Sequence, residues 1–297
     1  HGNGTDTKLD LHYKDFAWQE HARTEHPGRE FWHELMRELP TPLELPTNRP
    51  RPTVKSTRGA TLRSVLDKNT WTKLSTLGQA QGATPFAVAL TLLRVLVCKQ
   101  AGVTDTIIGT PVAGRDQPEW EPVVGCFVNL LPLRTKIEAE DTFADVLARE
   151  AANSKAALTH QTYPFDDLVS AVAPQRDPSR APLFDVLLAF QNTGDSGLSL
   201  GDAEAVPVEL ESVSSQYDWT LNCFPTADGE LEVVWEYDKA LFDEDRMRWV
   251  AAHWGELART LAHNPGAVIG ALPHMSAAEK AALDDWGRQP SDCHTVE

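Results

Sequence analysis

The 297-residue sequence predicts an α/β fold, a mixed β-sheet with flanking helices. Residues 217–224 and 231–237 flank Ala227-Asp228-Gly229, the turn signal of an antiparallel hairpin. Residues 182–190 form an almost unbroken apolar run, as in a central strand buried on both faces. Stretches with helix start signals lie between the candidate strands, and such interleaving builds layered α/β domains.

In chain order, residues 9–20 and 29–39 place Leu11, Phe16 and Trp18, then Phe31, Trp32 and Leu35, at helical spacing. Residues 40–52 hold five prolines and form an extended connector, because proline lacks the amide donor and clashes with the preceding turn. Residues 58–67 alternate as a strand, with Leu62 on one side beside Ala60 and Ser64. Asn69-Thr70 is expected to cap a helix carrying Trp71, Leu74 and Leu77 that ends near Gly82. Thr84-Pro85 starts another, since Thr accepts from first-turn amides and proline at the first position sacrifices no helical hydrogen bond. That helix is apolar on nearly every side and belongs in the core. Residues 104–111 and 127–137 read as strands, and Asp141-Thr142 caps a helix through Leu158 with Phe143, Val146 and Leu147 inward. A last long helix from Asp243 to His263 is stopped by Asn264-Pro265-Gly266. Residues 276–297 hold one short helix and then polar residues, as in a linker.

The net charge of −16 argues against nucleic acid and against an anionic membrane surface, since phosphate binding needs clustered Lys and Arg. The longest apolar run, residues 86–98, is interrupted by Thr91 and Arg94 and falls short of the roughly 20 residues that span a bilayer. It reads as a buried helix. Nothing resembles an export leader. Cys98, Cys126, Cys223 and Cys293 are scattered without metal-ligand spacing, which suits structural thiols in a reducing cytoplasm. The start at His1 rather than Met suggests a processed or excised piece. Phosphate-cradling Gly loops, the Gly-x-Ser-x-Gly elbow and His-Glu-x-x-His are all missing from these residues.

Four segments carry a resemblance. They are Tyr13-Lys14-Asp15-Phe16-Ala17-Trp18-Gln19; Val124-Gly125-Cys126-Phe127-Val128-Asn129 through Arg134; His160-Gln161-Thr162-Tyr163-Pro164-Phe165-Asp166-Asp167; and Arg176-Asp177-Pro178-Ser179-Arg180-Ala181-Pro182-Leu183-Phe184-Asp185. Their order and spacing resemble the signature motifs of condensation domains from nonribosomal peptide synthetases, with similar residues also at 109–115, 236–237 and 241–243. Two departures stand out: one residue is missing before Trp18, and Leu130 replaces a threonine. The family's His-His-x-x-x-Asp-Gly motif does not occur in these 297 residues.

The resemblance implies one lobe, the C-terminal one, of a chloramphenicol acetyltransferase-like two-lobed fold, over residues 1–275, with 276–297 leading toward an adenylation domain. It implies adenylation and carrier domains as partners, with a tailoring enzyme as a further candidate, and no nucleic acid or membrane. No cofactor is bound directly; the phosphopantetheine is that of partner carrier proteins. Without the His motif, whose second His helps the acceptor amine attack the donor thioester, none of the ten His is assigned as base, and no catalytic or metal residue is expected. His160 is expected to cap or pack its helix. Two readings stand: a truncated domain kept as a scaffold or docking platform, or half of an active amide-forming domain. Asn129, Gln191 and Asn192 either line the tunnel for the pantetheine arm or cap strand ends. Arg115, deprived of the Asp it would pair with in the family, is either solvated, re-paired with Asp116 or Asp105, or a plain surface Arg. Tyr13, Asp15, Arg134, Pro164, Phe165, Arg176, Asp177, Arg180, Pro182 and Phe184 are expected to be structural, the residues from Arg176 to Arg180 forming a charged turn before a strand. Tyr217, Asp218 and Trp219 are expected to pack.

Overall fold

The computed structural model describes residues 10–173, 175–191, 199–200, 203–204, 214–272, 275 and 277–288. The chain runs α1 (Tyr13–Ala22), α2 (Arg29–Leu35), β1 (Gly59–Leu66), α3 (Lys68–Ala80), α4 (Pro85–Ala101), β2 (Asp105–Val112), β3 (Asn129–Lys136), α5 (Phe143–Thr159), α6 (Phe165–Val172), β4 (Val186–Phe190), β5 (Ser199–Leu200), β6 (Ala203–Glu204), β7 (Trp219–Pro225), β8 (Leu231–Asp238), α7 (Glu244–His263) and α8 (Ala277–Arg288). Six strands form one mixed sheet in the order β1-β8-β7-β4-β2-β3. β4 runs parallel to both neighbours, while the β1–β8, β7–β8 and β2–β3 pairs are antiparallel. The expected hairpin is β7–β8, with Trp219 opposite Tyr237 and Pro225 opposite Leu231.

The core forms where α4 and α7 meet the sheet. Thr84 caps α4 by accepting from the Ala87 amide, Pro85 occupies the first turn, and Ala87 through Cys98 are all buried. Trp219, Trp235 and Trp254 stack edge to face beneath them, with centroids 6.5 and 6.0 Å apart. No single helix among the described residues is long and apolar enough to cross a membrane. Arg94, the charge inside the apolar run, is wholly buried and paired with the equally buried Glu150 of α5. Its guanidinium also donates to the carbonyls of Thr106 (2.7 Å) and Leu133 (2.9 Å), joining α4 and α5 to β2 and β3.

Several boundaries differ from the sequence reading. The cap of α3 is Asp67, which accepts from the Thr70 amide at 3.0 Å, not Asn69-Thr70. α6 lies where no helix was expected. Trp18 is 71% exposed, because the packed face of α1 is the one carrying Tyr13 and Phe16. The strand expected from residue 182 begins at Val186. Before it, the Phe184 amide donates to Pro182 O at 2.9 Å around Leu183, whose φ of 65° is the left-handed value that leucine rarely adopts. This γ-turn turns the Phe184 ring over Gly109 of β2, where an added Cβ would lie 2.1 Å from the ring.

Candidate functional site

The first and third motif segments meet the second where β2 ends and β3 begins, while the fourth precedes β4, which runs parallel to β2 and so starts toward the other end of the sheet. Residues 113–128, between β2 and β3, form a loop with its own small core of Trp120, Val123 and Phe127, onto which Leu11 and Phe16 pack. Tyr13 Oη donates to Cys126 O at 2.9 Å, and its ring stands edge-on to Phe127 at 5.2 Å. Gly125 is needed at that contact, since a Cβ there would reach 2.3 Å from the Tyr13 ring. Asp15 accepts from the His12 amide at 2.8 Å and so closes the start of α1.

Arg115 is the organising cation of this loop. Its guanidinium donates to the carbonyls of Trp120 and Val123, the latter at 2.8 Å, and lies 4.2 Å from the Phe127 ring centroid. Neither Asp116 nor Asp105 is its partner among the described residues, so the expected re-pairing is corrected. Asp105 is taken by Arg134, which binds it through Nε (3.1 Å) and Nη2 (2.7 Å) and also donates to Leu35 O. Backbone carbonyls stabilise the Arg115 charge, with no ion pair among the described residues.

Asn129, at the start of β3, ties this loop to the third motif. Its amide donates to Gln161 O and Tyr163 O, both at 2.8 Å, and accepts from the Phe165 amide at 3.1 Å. Pro164 stands at the N-cap of α6 and offers no side-chain cap, so Asn129 satisfies that helix end from outside. His160 is the C-cap of α5 and stacks on Phe31 at 4.5 Å, while its carbonyl accepts from the Trp32 indole. A cavity of ≈260 Å³ opens here between Phe16, Gln19, Trp120, Phe127, Asn129 and Pro164. Of the three candidate tunnel amides, Asn129 borders this cavity with its hydrogen bonds already committed. Gln191 is exposed beyond β4 with its backbone amide on Cys223 O, and Asn192 lies outside the described residues.

The fourth motif is a charged turn, as expected. Asp177 accepts from the Ser179 amide (2.8 Å) and hydroxyl (2.6 Å), bonds that hold its carboxyl below the usual range. Arg180 bridges Asp185 (2.7 Å), Leu43 O (2.8 Å) and Glu44. Phe165 meets Phe184 at 5.5 Å, and Phe184 stacks on Tyr217 at 5.3 Å, so the third and fourth motifs share a wall. A larger cavity, ≈520 Å³, opens between this turn, the 39–43 connector and the end of α6, with Arg176, Asp177, Arg180 and Pro182 in its lining.

Tyr217 and Trp219 pack as expected, whereas Asp218 does more. Fully buried, it takes Arg51 (3.0 Å to Nη1) and Lys55 (3.3 Å), and its amide donates to Asp185 O at 2.8 Å. Burial pushes the Asp185 carboxyl up to about 6, the Asp218 charge adds to this, and Arg180 opposes it. The Arg51 and Lys55 anchors escaped sequence reasoning; the available signal was an aspartate inside an otherwise apolar strand start.

No described histidine borders either cavity. Several are engaged elsewhere: His33 with Tyr163 Oη at 3.1 Å, His26 3.8 Å from Asp167, His253 with Glu279 of α8 and His263 on Arg259 O. Among the described residues, the arrangement holds backbone and encloses space.

A condensation domain family model matches residues 1–284. Tyrocidine synthase 3 of Brevibacillus parabrevis is 36% identical over 280 residues, 93% of this chain and 4% of that protein. Surfactin synthase subunit 1 of Bacillus subtilis is 35% identical over 93% of this chain and 8% of its own length. The chain thus spans less than a tenth of these relatives. Among solved structures, the X-domain from teicoplanin biosynthesis superposes with a TM-score of 0.80 at 24% identity, over 91% of this chain and 63% of that one. The first condensation domain of the calcium-dependent antibiotic synthetase superposes with a TM-score of 0.72 at 18% identity, over 88% of this chain and 56% of the other. A four-domain nonribosomal peptide synthetase bound to AMP and glycine gives a TM-score of 0.80 at 23% identity, over 89% of this chain and 21% of that one. With motif order, sheet and family match in agreement, the chain belongs to the condensation domain family of nonribosomal peptide synthetases.

Proposed function

We propose that these residues supply the C-terminal, non-catalytic lobe of a condensation domain, which holds and docks and does not itself carry out the acid–base step of amide formation. The observation that carries this is the commitment of the motif side chains. Asn129, Arg115, Arg134 and Arg180 spend their donors on backbone and on carboxylates, and no described histidine borders either cavity. General acid–base help needs a titratable group within hydrogen-bond reach of the amine or through one water. The base would come from a lobe bearing His-His-x-x-x-Asp-Gly. Solved condensation-type domains extend well beyond the part that this chain covers, which leaves room for such a lobe.

In this reading the ordered 113–128 loop and α1 present the docking face, with Trp18, Val124 and Val128 exposed at 71%, 90% and 60%. Carrier-borne phosphopantetheine would pass that face, with Gln191 the described candidate amide left to meet it. Residues from 276 onward would lead to an adenylation domain, and the whole would work in the cytoplasm. A standing docking role, without any catalysis, is the second reading. It is favoured by the shared fold with the teicoplanin X-domain, which has been solved in complex with OxyB.

The test mixes this chain with peptidyl- and aminoacyl-loaded carrier proteins, with and without a polypeptide supplying the His-motif lobe, and follows amide product by mass spectrometry. No product from the chain alone and product on adding the lobe is the expected result. No product in either case, with a stable complex to adenylation or carrier domains, selects the scaffold. Amide formed by the chain alone would overturn the proposal.

A further inference from the structure

The ≈520 Å³ cavity beside the fourth motif lies within the range of about 300–1,000 Å³ typical of small-molecule sites. Its walls are mainly apolar, with Leu39, Pro42, Leu43, Ile107, Val169 and Leu183 among them. Leu183 is held there by its γ-turn, and the connector prolines cannot refold into a helix to fill the space.

The charges in the lining nearly cancel within the protein. Asp105 is bound by Arg134, Asp185 and Arg180 bind each other, and Asp177 accepts from Ser179 and lies 3.7 Å from Arg180. Arg176 differs: its exposed guanidinium has no hydrogen bond or ion pair among the described residues. An apolar pocket with one uncommitted cation selects an apolar body with one anionic head, because the ligand then buries hydrocarbon while its charge meets a donor fork that fits carboxylate or phosphate. A cationic ligand would have only Asp177 to meet, whose Oδ1 is taken by Ser179 and whose Oδ2 lies 3.7 Å from Arg180, and a neutral one leaves Arg176 unused.

We propose that this cavity binds a small anionic amphipath, an acyl carboxylate or an alkyl phosphate, with the tail against Leu43 and Leu183 and the head on Arg176. The test titrates the protein with octanoate, octyl phosphate, octanol and octylamine below their aggregation limits, reading methyl NMR shifts of Leu43, Val169 and Leu183. Octanoate or octyl phosphate should saturate, at least about tenfold tighter than octanol or octylamine. The tighter anion distinguishes a carboxylate source from a phosphate headgroup. Arg176→Gln should weaken the anions to the level of octanol, and Ala181→Phe, which fills the cavity, should abolish the shifts. Equal binding of octanol or octylamine, unchanged binding to Arg176→Gln, binding that survives Ala181→Phe, or no saturable shift with either anion would each overturn the proposal. Arg176 is exposed, so its variant is expected to fold.

Discussion

Asn129 caps the helix that Phe165 begins, from 36 residues away in the sequence. The Phe165 amide, which Pro164 cannot satisfy through a side chain, donates to Asn129 Oδ1, while Nδ2 holds the carbonyls of Gln161 and Tyr163. One amide therefore fixes both the end of the turn after α5 and the start of α6.

Asn129→Ala should lower stability by about 2–3 kcal/mol, because three partners lose a bond that typically contributes about 1 kcal/mol. Asn129→Asp should cost more, since a carboxylate oxygen would replace the donor and face two carbonyls. Urea unfolding midpoints at constant slope measure both, and a loss under about 0.5 kcal/mol in the alanine variant would show that water replaces the amide.

Removing one member of the Arg94–Glu150 pair should be severe. Arg94→Met leaves Glu150 buried without its cation, a change that costs about 3–5 kcal/mol. Arg94→Met with Glu150→Met should be less destabilised than Arg94→Met alone, because no uncompensated charge remains. A double-mutant cycle by denaturant unfolding reads the coupling, and additive losses would contradict it.

The Asp185 carboxyl is raised from its ordinary value of 3.8 to about 6, so the native state holds this proton more tightly than the unfolded chain. The stability it contributes is fully present below the ordinary value and is lost as pH rises through about 6. Thermal unfolding of the wild type relative to Asp185→Asn should therefore show a difference that declines between about pH 4 and pH 6 and then levels off. A difference that grows over that window would reverse the sign assigned to burial.

Much of the frame was legible because its signals are local. Thr84-Pro85 followed by an apolar surface specifies α4, and Ala227-Asp228-Gly229 specifies the β7–β8 hairpin. β4 starts late because hydrophobic patterning registers burial, which Leu183 and Phe184 have in part or in full, and not the positive φ that keeps Leu183 out of the strand. The site was less legible because its holding contacts are distant in sequence. Arg51 meets Asp218 across 167 residues, and Arg115 is satisfied by carbonyls, which leave no trace in residue identity.

The pairing of β1 with β8, Gly59 opposite Asp238, has a consequence for how such a unit is made and recombined. The first strand of the sheet has no neighbour until the last has left the ribosome, so the sheet matures late and with many non-local contacts. A recombination joint placed between residues 66 and 231 would separate the two strands into different parents. Joints outside 59–238 leave the sheet intact, and those upstream of Tyr13 also keep α1 on the loop that it covers.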